Sequence, residues 1–198
     1  VSVISIRQRW EVMQDDGKRI AFSWSDYDAA QQVGRAGGRL HALVLVKGLE
    51  DEGLFVLTLK GMGGMSFYTQ RGDSAMGQMA RTVLAYANKK SDEAARKNGR
   101  TAGLRWAWRA FWLPVGGART DKGEPVYTKA GSADNAKYVV LPVALGLPVK
   151  PADVTDAHLD RYYIGNELLS VVNGHYADAE GNWTHAWDNI VPGVQPYR

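Results

Sequence analysis

Cysteine is absent from the 198 residues. Without thiols there is no disulfide framework, no thiolate nucleophile and no Cys-ligated zinc. Histidine is scarce: His41, His158, His175 and His185, with no pair at the His-x-x-x-His spacing of a helical zinc site. His175, Asp178 and His185 match no ligand pattern, so no metal is expected. No Gly-x-Ser-x-Gly nucleophile elbow occurs. The run Gly61-Met62-Gly63-Gly64 lacks the Gly-Lys-Ser/Thr ending of a phosphate loop and reads as a turn. Asp178-Ala179-Glu180-Gly181-Asn182 lacks the distal acid of a calcium loop. Acid pairs such as Asp15-Asp16 and Asp51-Glu52 fall in turn-like stretches. The expectation is a non-enzymatic binding protein without cofactor or metal. No apolar run approaches the roughly 18–20 residues that span a bilayer, and no signal-peptide pattern opens the chain. No membrane association and a cytoplasmic location are expected.

What is present is ordinary globular composition, 45% hydrophobic and 23% charged. The net charge of +3 hides an uneven distribution. Residues 71–129 hold twelve Lys/Arg against five Asp/Glu, a local balance of +7, whereas residues 150–198 hold three against seven, a balance of −4. A basic middle suits a polyanion, and an acidic end suits a protein partner or a solvated surface.

The residues most suggestive of function are Gly103–Val115, Gly-Leu-Arg-Trp-Ala-Trp-Arg-Ala-Phe-Trp-Leu-Pro-Val. As a strand this run places Trp106, Trp108, Ala110 and Trp112 on one face. Arg105, Ala107, Arg109, Phe111 and Leu113 take the other. Aromatic rings stack on bases and guanidinium groups neutralise phosphate. Helical spacing fits Leu104, Trp108, Phe111, Trp112 and Val115 as well, and the short, aromatic run between Gly103 and Pro114 favours the strand. Trp is equally a core anchor, in which case only the Arg face lines a groove.

Along the chain, 2–12 and 19–24 read as strands around a turn at Asp15-Asp16-Gly17-Lys18. A short helix follows Ser25-Asp26-Tyr27-Asp28 and runs to Val33, ended by Gly34, Gly37 and Gly38. Leu40–Val46 and Leu54–Lys60 form a hairpin with a charged loop, and Ser66–Thr69 adds a possible third strand. Met76, Met79, Ala80, Val83, Leu84 and Ala87 make the stripe of a helix over 74–90, capped by Ser74. Two short strands, Glu124–Lys129 and Lys137–Val143, come next. A linker at 147–151, a helix over 153–172, a hairpin over 176–183 and an extended tail complete the chain.

The expected fold class is mostly β with helical elaborations (α+β). Its expected architecture is a five-stranded barrel or half-barrel of the oligonucleotide-binding type, with the 74–90 helix inserted. Residues 1–150 would form that domain, and 151–198 would pack on it. The expected function is non-sequence-specific binding of single-stranded nucleic acid, DNA rather than RNA. Trp106, Trp108, Trp112, Tyr68 and Tyr127 would stack bases, and Arg71, Lys89, Lys90, Arg105, Arg109 and Lys129 would neutralise phosphates. The alternatives are a protein-interaction subunit of a larger nucleoprotein assembly, using the acidic C-terminal region, and a carbohydrate-binding module.

Overall fold

A computed structural model of the chain describes residues 1–60, 67–68, 75–130, 137–140, 145–148, 150–181 and 194–196, with backbone alone at 128–130, 137–140, 178–181 and 194–196. The fold is α+β. Its contacts divide into two compact units: Ser2–Gly64 with Gly165–Arg198, and Met65–Ile164 with Val1.

The first unit is built on a sheet. Strand β1 (Ser2–Met13) lies between β2 (Arg19–Ser23) and β3 (Ala36–Leu45), and β4 (Leu54–Lys60) pairs with β3, all antiparallel. A short parallel strand, Val194–Pro196, pairs with β2, giving the order β4-β3-β1-β2 and then this edge. The expected strands over 2–12 and 19–24 and the hairpin of 40–46 with 54–60 are borne out. Among the described residues the sheet is open, because its two edge strands do not pair and no closed five-stranded barrel is formed.

Strand β3 begins four residues earlier than expected, and Gly37 and Gly38 lie inside it, opposite Glu11 and Trp10. The reason is space. A Cβ on Gly38 would sit 3.3 Å from the Trp10 ring and 3.5 Å from the Trp24 ring. Glycine in a strand therefore marks close approach here, not a helix stop. On this face helix α1 (Tyr27–Val33) closes a small core of Val12, Phe22 and Ala30, with Trp10 and Ile20 against it.

The second unit carries the long helical stretch. Helix α2 (Ala75–Met79), a π-helical turn (Ala80–Leu84) and helix α3 (Ala85–Lys97) run on without a break. Met76, Met79, Val83 and Ala87 are buried, as the stripe predicts. Beyond the apolar stripe of 74–90 the polar segment stays helical to Lys97 and stops at Asn98-Gly99, the stop the sequence predicts. Ser74 lies outside the described residues. Phe67 and Tyr68 are not in a strand, so the described part of 66–69 does not form the expected third strand.

The Trp/Arg run is the main correction. It is irregular from Thr101, makes a 3-10 turn at Trp108–Ala110, and touches Tyr163 through a single bridge at Phe111. Ala107 O accepts the Ala110 N–H and Trp108 O accepts the Phe111 N–H, both at 3.0 Å. The turn advances side chains by about a third of a revolution per residue, so the two-faced alternation fails. Phe111 and Leu113, expected beside the arginines, are buried, and so is Ala110 from the expected tryptophan face.

Strands β5 (Tyr127–Ala130) and β6 (Lys137–Val140) form a separate antiparallel pair. The expected helix over 153–172 is two helices, α4 (Asp156–Tyr162) and α5 (Asn166–Gly181), broken at Gly165 with φ +92°. Helix α5 replaces the described part of the expected 176–183 hairpin. Among the described residues no helix is long and apolar enough to cross a membrane.

Candidate nucleic-acid interface

In the unit carrying α3, the segment after the helix is fastened back onto it. Asp92 Oδ1 accepts the Gly103 N–H at 3.0 Å, and Asp92 Oδ2 takes Arg105 Nη1 at 3.0 Å. Asn88 Oδ1 accepts the Trp106 N–H at 2.8 Å, and Ser91 Oγ donates to Leu104 O at 2.8 Å. The Gly103 N–H holds the Asp92 carboxyl below its ordinary range, with Arg105 adding to the effect.

The structure thereby sorts the expected residues. Trp106 is half-buried, with its ring 5.8 Å from Phe111 and edge-on to Tyr163 at 5.4 Å, a packing role. Trp108, Trp112 and Arg109 are half-buried, and Tyr68 likewise. Arg105 is exposed but ion-paired to Asp92. Lys90 bonds Asp156, which also accepts from the Tyr86 hydroxyl. Lys89 lies 3.8 Å from Glu93 across one helical turn. Tyr127 is exposed. Arg71 and the Lys129 side chain lie outside the described residues. Lys89, Lys90 and Arg105 thus lie along α3 and the segment bound to it, and the same stretch exposes Arg96, Lys97 and Arg100, which the sequence groups with Lys89 and Lys90 as a basic cluster but not among the expected phosphate contacts. Their signal was present as the positive charge at 89–100, but a helix C-terminus also attracts cations.

The sheet unit holds polar chemistry that the sequence reading missed. Arg9 and Glu11 share a face of β1, and Arg39 and His41 share the matching face of β3. Glu11 Oε1 lies 3.3 Å from Arg9 Nε and from His41 Nε2, and Oε2 lies 3.2 Å from Arg39 Nε. Arg9 Nε lies 3.1 Å from His41 Nε2, and His41 Nδ1 meets Thr58 Oγ1 on β4 at 3.0 Å. Burial pushes the Glu11 carboxyl up. The hydrogen bond to His41 and the charges of Arg9, His41 and Arg39 outweigh it, so the group titrates below its ordinary value.

Beside this network, Ser23 is the last β2 residue paired to β1, opposite Arg9. A cleft of about 400 Å³ opens where β2 ends, lined by Arg7, Gln8, Arg9, Ser23, Trp24 and Asp26 among others. Trp24 stacks on Trp10 with centroids 4.2 Å apart and planes within 6°. Trp10 Nε1 donates to Trp24 O at 2.9 Å, and Tyr27 tilts against Trp10 at 4.6 Å. The alternation of Arg7, Arg9 and Glu11 along a strand was the legible signal, but it read as ordinary strand patterning.

Among the described residues no group of three His, Asp or Glu side chains is placed to hold a metal ion. The expectation concerning His175, Asp178 and His185 falls largely outside them. Comparison with protein-family models, with curated proteins and with solved structures finds no match.

Proposed function

We propose that this chain binds single-stranded nucleic acid without reading sequence and without catalysis, DNA in preference to RNA. The observation that carries the reading is the cationic surface of α3 and the segment bonded to it. Arg96, Lys97 and Arg100 are exposed, and with them Lys89, Lys90 and Arg105, which stay exposed although they pair with Glu93, Asp156 and Asp92. Such a row neutralises a phosphate backbone, and its contacts carry no base information. Trp106, Trp108 and Trp112 are equally half-buried and Tyr127 is 59% exposed; because the Trp106 ring packs on Phe111 and Tyr163, stacking is assigned to the other three rings. On this reading the open sheet is a half-open variant of the oligonucleotide-binding plan, and Lys129 and Arg71 count among the phosphate-neutralising residues. A cytoplasmic location goes with it.

Mobility shift of the full chain with single-stranded and duplex oligonucleotides across a salt series tests the proposal. Tighter binding to single strands, weakening steeply with salt, is expected. Equal or tighter binding to duplex removes the single-strand preference, and salt-independent binding removes the phosphate contacts.

One observation favours a second reading. Leu104 is 87% exposed, with Val115 38% exposed at the other end of the same segment. Apolar side chains beside Trp and Arg suit a protein partner in a nucleoprotein assembly. Loss of partner binding in Leu104→Ser without change in nucleic-acid affinity would mark that surface.

A further inference from the structure

We infer that the cleft at the end of β2 is a nucleotide site, separate from the cationic surface of α3 and borne by the other unit. Its ligand is a nucleobase linked to a phosphate, taken either as a free nucleotide or as one unit of a strand.

Three observations point to that chemistry. First, Trp24 lines the cleft and is 44% exposed, yet its ring is held parallel to Trp10 at 4.2 Å. A tryptophan left open to solvent while fixed by a second indole is a pre-oriented stacking surface, and a flat heteroaromatic ring is what it accommodates. Gly38 favours the arrangement, since a Cβ there would crowd Trp10 at 3.3 Å and touch Trp24 at 3.5 Å. Second, Arg7 lines the same cleft at the point where β1 runs on beyond the last β2 partner. Its guanidinium is suited to bidentate contact with phosphate oxygens. Third, polar groups line the cleft where β2 ends, with Ser23 the register partner of Arg9. Asp26 Oδ1 accepts from Ser25 Oγ at 2.9 Å, and Ser25 Oγ lies 3.1 Å from Ser23 Oγ. The Asp26 carboxylate in the lining accepts from exocyclic amino or sugar hydroxyl groups. The cleft thus offers an indole to a base and a guanidinium to a phosphate. Its volume of about 400 Å³ falls within the range of small-molecule sites.

Indole fluorescence of the full chain, titrated with adenosine 5′-monophosphate, with adenosine and with a short oligodeoxyadenylate, tests the inference. Saturable quenching by a phosphate-bearing ligand is expected. Trp24→Ala should remove the quench and weaken binding about tenfold or more. Arg7→Gln should weaken the nucleotide but leave adenosine unaffected. Quenching by the mononucleotide identifies a free-nucleotide site, and quenching by the oligonucleotide alone identifies a strand unit. Trp24 is 44% exposed just after β2 and Arg7 is half-buried on β1, and circular dichroism verifies that both variants fold. No quench with any ligand, or isotherms unchanged in Trp24→Ala, would overturn the inference. So would an equal loss of adenosine and nucleotide in Arg7→Gln. Because the α3 cations lie in the other unit, Lys97→Ala with Arg100→Ala should leave mononucleotide quenching intact, which separates this site from the strand-binding reading.

Discussion

Gly103 lies directly against Ser91: a Cβ on Gly103 would stand 2.3 Å from the Ser91 carbonyl oxygen and from its Oγ. The contact lets the Gly103 N–H reach Asp92 and sets the start of the Trp/Arg segment on the side of α3. Backbone cannot yield as a flexible side chain can. Gly103→Ala should therefore destabilise the protein by about 1–3 kcal/mol, the range of forced overpacking. Thermal melts of the variant check it, and an unchanged melting temperature would contradict the close approach.

Trp106 and Arg105 should separate in mutant behaviour. Trp106→Ala removes a ring packed on Phe111 and Tyr163. It should cost stability toward the low end of the roughly 3–5 kcal/mol seen for buried aromatic truncation, since the ring is only half-buried. Arg105→Ala should leave the fold intact and lower the log–log salt slope for single strands by about 0.7 if one phosphate contact is lost. Denaturant melts and salt titrations on the same two proteins decide between packing and contact.

Asp92 competes with any phosphate for Arg105. Its carboxyl titrates below the ordinary range, mainly through the Gly103 N–H. Asp92→Asn keeps the shape while removing a negative charge from the cationic surface. Single-strand affinity at low salt should rise. A fall in affinity would show that Asp92 presents Arg105 to the ligand.

Glu11 couples the sheet to pH. Its folded pKa lies below its ordinary value near 4.5. A depressed carboxyl contributes stability that is fully present above the unfolded pKa and is lost as pH falls through the folded value. Acid unfolding should therefore show a component below about pH 4.5 that Glu11→Gln abolishes. Glu11→Ala leaves Arg9 and Arg39 without their shared carboxylate and should cost about 3–5 kcal/mol. Equilibrium unfolding against pH for the wild type and both variants measures each effect.

Local pattern and tertiary placement divided the problem unequally. The strands of the sheet were legible because β-branched and apolar residues recur there between turn residues. The α2–α3 stripe was legible because its apolar residues repeat with the helical period. The 103–115 run was not, because its periodicity fits strand and helix alike. Its actual conformation is imposed from outside, by Asn88, Ser91 and Asp92 on α3 and by the bridge of Phe111 to Tyr163. Gly37 and Gly38 misled for the same kind of reason. Gly38 makes room for Trp10 and Trp24, a Cβ on Gly37 would meet the Arg39 guanidinium at 3.0 Å, and Trp24 is fourteen residues from its stacking partner in sequence.

The sequence by itself determined the class of fold, the cationic middle and the α2–α3 stripe, since composition and period are local properties. Only the tertiary structure decided which charges remain exposed and which are spent. Lys90 meets Asp156 across sixty-six positions, and Arg9, Glu11, Arg39 and His41 meet across two strands. Such pairs form because strand register and helix packing bring distant side chains within hydrogen-bond distance, and no periodicity within one segment encodes the identity of its partner.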